Sequence, residues 1–409
     1  MNKFTDESGI KAISPQEDWC VHSYYSLCPY APDGSGRILV SGTDLAREKT
    51  HVYILDQEGT VLDRFGQGVP ESNFYHTGSW QTWSPDGRYV YYQGGTMKFP
   101  KIFRYDTLTH ETLSMDGDME GAPPTGEPIF SGYLGMLYAA GYADGHYYPE
   151  KAPIPFPERD RHGLFRFNIS EGKAELALSV NQILAMHPER EKLLKLEEAF
   201  IRETGHEEGF TLMAYCVRWN TSGSRCLFYF GNHCVDGSRK EPKLSYVFTA
   251  DREFRDIRLA LDLGFDHPGV HWSWHPDQEH LIGYACHPDN GGKRCLCSVR
   301  YDGSDFKMIS KHSSGGHPSI SPADYQLLVT DECFIPGRVV FLDLTDDTEV
   351  GSYTLPRVNG DQEPQGRNPY RVCHHPVFRP DGKKILANIL PGENAVVCEF
   401  DVPERKQKL

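Results

Sequence analysis

WSPDGRYVYYQGG, Trp83 to Gly95, reads as a tight turn followed by a strand. Proline presets φ and Asp-Gly accepts the turn conformations that other residues resist. Beyond the turn, apolar and polar side chains alternate with the two-residue period of a half-buried strand. The phrase recurs as YAPDGSGRILVSG from Tyr30 and WNTSGSRCLFYFGN from Trp219. Further copies are WHPDQEHLIGYAC from Trp274, ISPADYQLLVTDEC from Ile320 and FRPDGKKILANIL from Phe378. A degenerate copy, FSGYLGMLYAAGY, starts at Phe130 and brings the total to seven. One such turn would be an ordinary hairpin. Each copy, however, is followed by a second strand–polar turn–strand phrase, such as KIFRYDTLTHETLS or RVVFLDLTDDTEVGSYTL. Four-stranded units repeating every ~45–60 residues are the mark of a β-propeller.

The expected fold is therefore all-β: a single seven-bladed β-propeller over residues 1–409, with one helical inter-blade insertion. Residues 1–15 are polar and read as a flexible N-terminal arm, neither signal peptide nor anchor. Residues 180–205, VNQILAMHPEREKLLKLEEAFIRETG, combine Leu, Ala, Glu and Lys with i, i+3, i+4 apolar spacing. They are expected to form a helix outside the blades. Residues 146–163 are Pro-rich, cannot be a central strand, and form a long loop of the kind that carries function.

Composition narrows the function classes. The 409 residues are 39% hydrophobic, enough for a packed core, and the formal net charge is −15. A surface this acidic argues against nucleic acid or anionic membrane as partner. No run approaches ~18 apolar residues, so no membrane span is expected. The eleven cysteines include no CxxC pair. Reduced thiols in the cytoplasm are the expected state. The G-x-S-x-G elbow, HExxH, P-loop and GxGxxG motifs are missing.

Aligning the copies on the turn proline, or its substitute, and stepping back five residues gives Leu27, Trp80, Glu127, Cys216, His271, His317 and His375. A lone histidine is usually a surface or core residue. Three in one register on adjacent blades, after a cysteine, point to a metal site at the propeller axis. Imidazole and thiolate suit transition metals, with thiolate favouring zinc. Asp331, on the strand after His317, could supply an oxygen ligand or orient an imidazole. The competing reading is a polar, water-filled channel lined by hydrogen-bonded histidines.

GVHWSWHPD, GGHPSISPADYQLLVTDECF and RVCHHPVFRPDGKKI resemble the β-propeller polysaccharide lyases, a group that includes oligogalacturonate lyase and the propeller-type ulvan lyases. MAYCVRWNTSGSRCLFYF and HYYPEKAPIPFPERDRHGLFRFN are similar but weaker, and the likeness runs over most of residues 70–400. It implies β-elimination on uronate-containing oligosaccharides, assisted by a divalent metal: zinc or manganese first, calcium as an alternative. His271, His317 and His375 match the family's metal pattern, with Asp331 as a possible companion, while Cys216 is a candidate ligand by its ring register alone. The sequence departs from the family at Cys216, where histidine is usual, and at Cys373, where Asp is common.

Eliminating across C4–C5 of a uronate needs a neutralised carboxylate, a base for the C5 proton and an acid for the leaving oxygen. The resemblance suggests Tyr148 as base or acid and His76 as its complement. It suggests Arg166 as the carboxylate clamp through its planar fork. Tyr147 is an alternative to Tyr148, and Tyr147, Trp80 and Arg371 are candidate substrate contacts. Tyr147 and Tyr148 could equally just pack, and Arg166 could pair with a surface acid. The rival function is a non-catalytic propeller that binds a sugar acid or a protein partner, because a propeller by itself does not specify chemistry.

Overall fold

The computed structural model describes residues 9–43, 49–68, 74–96, 99–132, 154–232, 239–263, 269–332, 337–355 and 372–405. Seven antiparallel sheets follow one another along the chain. The first runs Trp19–Val21, Ile38–Thr43, Thr50–Leu55 and Val61–Gly68, from the axis outward. The fifth runs Val270–Trp274, His280–His287, Lys293–Arg300 and Lys307–Ser310. The fold is a seven-bladed β-propeller, and the third blade shows three strands among the described residues.

Closure comes from the chain's beginning. Ile10–Ala12 pairs with Val396–Asp401 as the outermost strand of the seventh sheet, with Ile10 opposite Phe400 and Ala12 opposite Cys398. The stretch expected to be a flexible arm therefore contains a strand. Pairing the two ends of the chain in one sheet covers the last blade's edge.

The turns carry the expected geometry. Gly87 N donates to Ser84 O (2.9 Å), Gly223 N to Asn220 O (2.9 Å) and Gly382 N to Arg379 O (2.8 Å). The third copy was misphased. Its equivalent turn is Pro123–Gly126, where Gly126 N donates to Pro123 O (2.8 Å), and Phe130 lies in the following strand, Ile129–Ser131. The ring position of this blade is thus Met119. Glu127 instead accepts from Arg104 Nη1 (3.1 Å) and Ser170 N (2.9 Å) between blades.

The insertion forms two helices, Val180–Met186 and Arg190–Thr204, broken where Pro188 lacks a donor. Ser179 caps the first through a reciprocal pair with Gln182, and Gly205 ends the second at φ 76°. Val180, Ile183, Leu193 and Phe200 pack on Phe228, Phe230 and Phe248 of the fourth blade. The helices lie against the blades rather than in the channel. Among the described residues, no helix is long and apolar enough to cross a membrane.

Candidate metal and catalytic site

The ring register depends on a local backbone device. Trp80, Cys216, His271 and His375 have φ of 53°, 54°, 59° and 48°. Non-glycine residues rarely adopt such values, and they gather at functional sites. On the fourth and fifth blades the strand pairing slips there, between Tyr215 and Arg218 and between Val270 and Ser273. These are β-bulges, which re-aim a side chain where a strand would otherwise alternate.

Four imidazoles form an arc. Ring centroids are 4.0 Å apart for His271–His317, 4.2 Å for His317–His375 and 4.7 Å for His375–His76. One nitrogen of His76, the thiol of Cys373 and one nitrogen of His375 all lie within 4.8 Å of one another. The structure thus joins His375 with His76, expected as acid or base, and with Cys373, noted only as a departure from the family.

Asp331 orients the arc. Fully buried, it accepts from His317 N (2.6 Å) and His375 N (3.2 Å). His317 Nδ1 lies 3.0 Å from both of its oxygens. Burial alone would raise this carboxyl. The His317 imidazole and its hydrogen bonds outweigh burial and hold Asp331 well below the usual range. Nε2 of His317, the opposite ring nitrogen, is buried without a hydrogen bond. His271 Nδ1 faces Gly315 O (2.9 Å) and Gly316 O (2.8 Å). Carbonyls only accept, so Nδ1 carries the hydrogen and Nε2 a lone pair. Burial, then the neighbouring His317, pushes His271 and His375 well below the usual imidazole range, so both are neutral at neutral pH. Both ring nitrogens of His375 are buried, and the neighbouring side-chain hydrogen-bond partner is the Cys373 thiol.

Gly316 makes this packing feasible: a Cβ there would sit 1.8 Å from Asp331 O. Asn388 braces the other side, with its Oδ1 accepting from His22 N (2.9 Å) and its carbonyl facing His374 Nδ1 (2.7 Å). Its side-chain amide donates to Cys373 O (3.2 Å).

Sequence reasoning missed four groups. Cys373 stands two residues before His375 in VCHHP, a spacing that could have signalled a donor pair. Tyr24 and Tyr25 put their rings 4.6 Å from His375 and 5.1 Å from His317, from an irregular stretch no repeat aligns. Arg218, buried, donates to Tyr25 Oη (2.9 Å) and to Trp272 O, with its guanidinium 4.9 Å from the Tyr24 ring. Among the described residues, no carboxylate lies within ion-pairing distance of Arg218.

Other expected residues lie elsewhere. Arg166 is not at the arc. Its strand, Gly163–Asn168, is second from the edge, and the side chain pairs with Glu175 (3.1 Å) and Glu253 (3.5 Å) over the Phe130 ring. Cys216, at the bulge, lies close to Tyr25, Tyr229 and Arg218. Trp80 is buried, 5.5 Å from Tyr24. Tyr147, Tyr148 and Arg371 lie outside the described residues.

No family model matches the chain, and no curated protein matches it. Solved structures do. Oligogalacturonate lyase from Vibrio parahaemolyticus is 14% identical, with a TM-score of 0.61 over 97% of this chain and 94% of that one. An oligogalacturonate lyase in complex with manganese is 15% identical, with a TM-score of 0.62 over 98% and 96%. The Cps50 (Swd1) β-propeller domain of Myceliophteria thermophila is 11% identical, with a TM-score of 0.51 over 95% and 99%. At these identities the likeness is one of fold.

Proposed function

We propose that this propeller is a lyase that cleaves uronate-containing oligosaccharides by metal-assisted β-elimination at the histidine mouth of its channel. The observation that carries the reading is the convergence of His76, Cys373 and His375 within 4.8 Å, continued by His317 and His271. Imidazole nitrogens beside a thiol suit a divalent transition metal, and the mixed nitrogen–sulfur set favours zinc over calcium. That the lyases of like fold include one solved with manganese is in keeping with a metal-dependent reading.

In this reading His76, Cys373 and His375 would hold the ion, which would supply the positive charge that neutralises the uronate carboxylate and acidifies the C5 hydrogen. His271, with Nδ1 tied to two carbonyls, offers Nε2 as the base for that proton. Arg218 adds positive potential from behind Tyr25, in place of the clamp first assigned to Arg166. None of the nine described cysteines forms a disulfide.

The test is elemental analysis of untreated protein, followed by ultraviolet absorbance of the new C4–C5 double bond on galacturonate, glucuronate and iduronate oligomers. Bound metal, and absorbance that His271→Ala abolishes, are expected. Equal metal content in wild type and a His76→Ala, His375→Ala double variant would remove the site. The second reading, a non-catalytic propeller, draws on Arg166 being engaged by two acids. It predicts silence on every substrate with metal added.

A further inference from the structure

One peptide group lies between the two halves of the donor set. The Val21–His22 peptide closes the innermost strand of the first blade, Trp19–Val21. Its carbonyl accepts from Gln81 Nε2 at 3.3 Å, and its N–H donates to Asn388 Oδ1 at 2.9 Å. Both side-chain amides are buried. Gln81 leads into the second blade and Asn388 belongs to the seventh, so the first blade is gripped from both neighbours.

Each amide also holds the approach to one donor. Asn388 Nδ2 donates to Cys373 O (3.2 Å), and Val372, the residue before, packs on Trp19 and Val21. Gln81 Oε1 accepts from Ser79 N (3.2 Å) and from Ser41 Oγ (2.7 Å), and Ser41 Oγ accepts from Ser79 N (3.0 Å). Ser79 lies two residues past Phe74–Thr77, the helical turn that carries His76 and rests on Trp19–Val21. Gly78 permits the close approach, because a Cβ there would sit 2.9 Å from Gln81 Oε1.

Two donors that reach a site from either side of a third blade cannot set their own separation. Metal–donor distances accept a spread of only about 0.2 Å. We infer that Gln81 and Asn388 are paired positioning residues, which register His76 and Cys373 against the Val21–His22 peptide so that both meet one divalent ion. A side-chain amide suits the task, because it donates and accepts at once and so ties a carbonyl to an N–H. An apolar side chain of the same size would fill the space but leave a buried peptide group unpaired. The inference rests on the metal-binding part of the proposed function and not on the elimination.

The test loads the full chain with cobalt(II), whose absorption reports its donors. A sulfur-to-cobalt charge-transfer band marks Cys373, and competition with a chromogenic chelator gives the affinity. Gln81→Met and Asn388→Leu keep the bulk and remove the hydrogen bonds. Each is expected to weaken cobalt binding by roughly 10–100-fold, with the sulfur band lost in Asn388→Leu and kept in Gln81→Met. The coupling is expected to be specific. Gln81→Met should cost little more once His76→Ala is present, and Asn388→Leu little more once Cys373→Ala is present. Ser41→Ala removes a single hydroxyl, should show a smaller loss of the Gln81 kind, and serves if the larger variants fail to fold. Variants that melt at lower temperature yet bind cobalt with wild-type affinity and spectrum would overturn the inference, as amides of purely structural role would give that result. So would an equal loss from Gln81→Met with and without His76. Wild-type protein that takes up no cobalt would remove the metal site itself, a failure seen before any variant is compared.

Discussion

Asp331 acts through others. Its carboxylate fixes the backbone N–H groups of His317 and His375 and the tautomer of His317. Such outer partners tune ligand basicity and orientation. Asp331→Asn is expected to lower metal affinity by roughly 10–100-fold, measured by competition with a chromogenic chelator. Glu120 gives a stability prediction of opposite pH sense to that of most carboxylates. Its folded pKa of about 7 lies above its ordinary value of 4.5, so the stabilising contribution is full below pH 4.5 and lost as pH rises through 7. Glu120→Gln should therefore gain on wild type by up to about 3 kcal/mol between pH 4.5 and 8, read from urea melts. Parallel curves would mean that Glu120 does not titrate there. His22, pushed down to about 4 by burial, works the other way: its contribution is full above pH 6.5 and fades as pH falls toward 4.

At the scale of single elements, bulges and glycines decide where the ring side chains point. Gly316→Ala would drive a Cβ against Asp331 O and displace the carbonyls that hold His271. Loss of metal, together with a clear fall in melting temperature, is expected. The helical insertion should behave differently. Leu193→Ala opens a cavity under the second helix, and a loss of about 2–5 kcal/mol with unchanged metal content is expected. The turn phrases and the helical insertion were legible because each is a local pattern of residue types, whereas its division into two helices at Pro188 was not. The slip at Phe130 arose because Pro123–Gly126 lacks the Asp-Gly signature, while FSGYLG imitates the strand that follows it.

At the scale of the whole molecule, a propeller is only as secure as its closure. Removing residues 1–12 would bare the edge of Val396–Asp401. A lower melting temperature and a tendency to aggregate, seen by light scattering, are expected. Closure also brings His22 of the first blade against Asn388 of the seventh, so the truncation should weaken the metal site as well.

Alternation, turn chemistry and the five-residue offset before each turn proline determined the number of blades, the helical insertion and three of the four histidines of the arc. These are short-range regularities, and one chain written out in order contains them. Which donors meet was decided by tertiary structure alone. His76 enters from a short helix, Cys373 from an irregular approach to a strand, and Tyr24 and Arg218 from opposite walls of the channel. Their proximity depends on how seven twisted sheets share one axis, a three-dimensional distance that no spacing along the chain encodes.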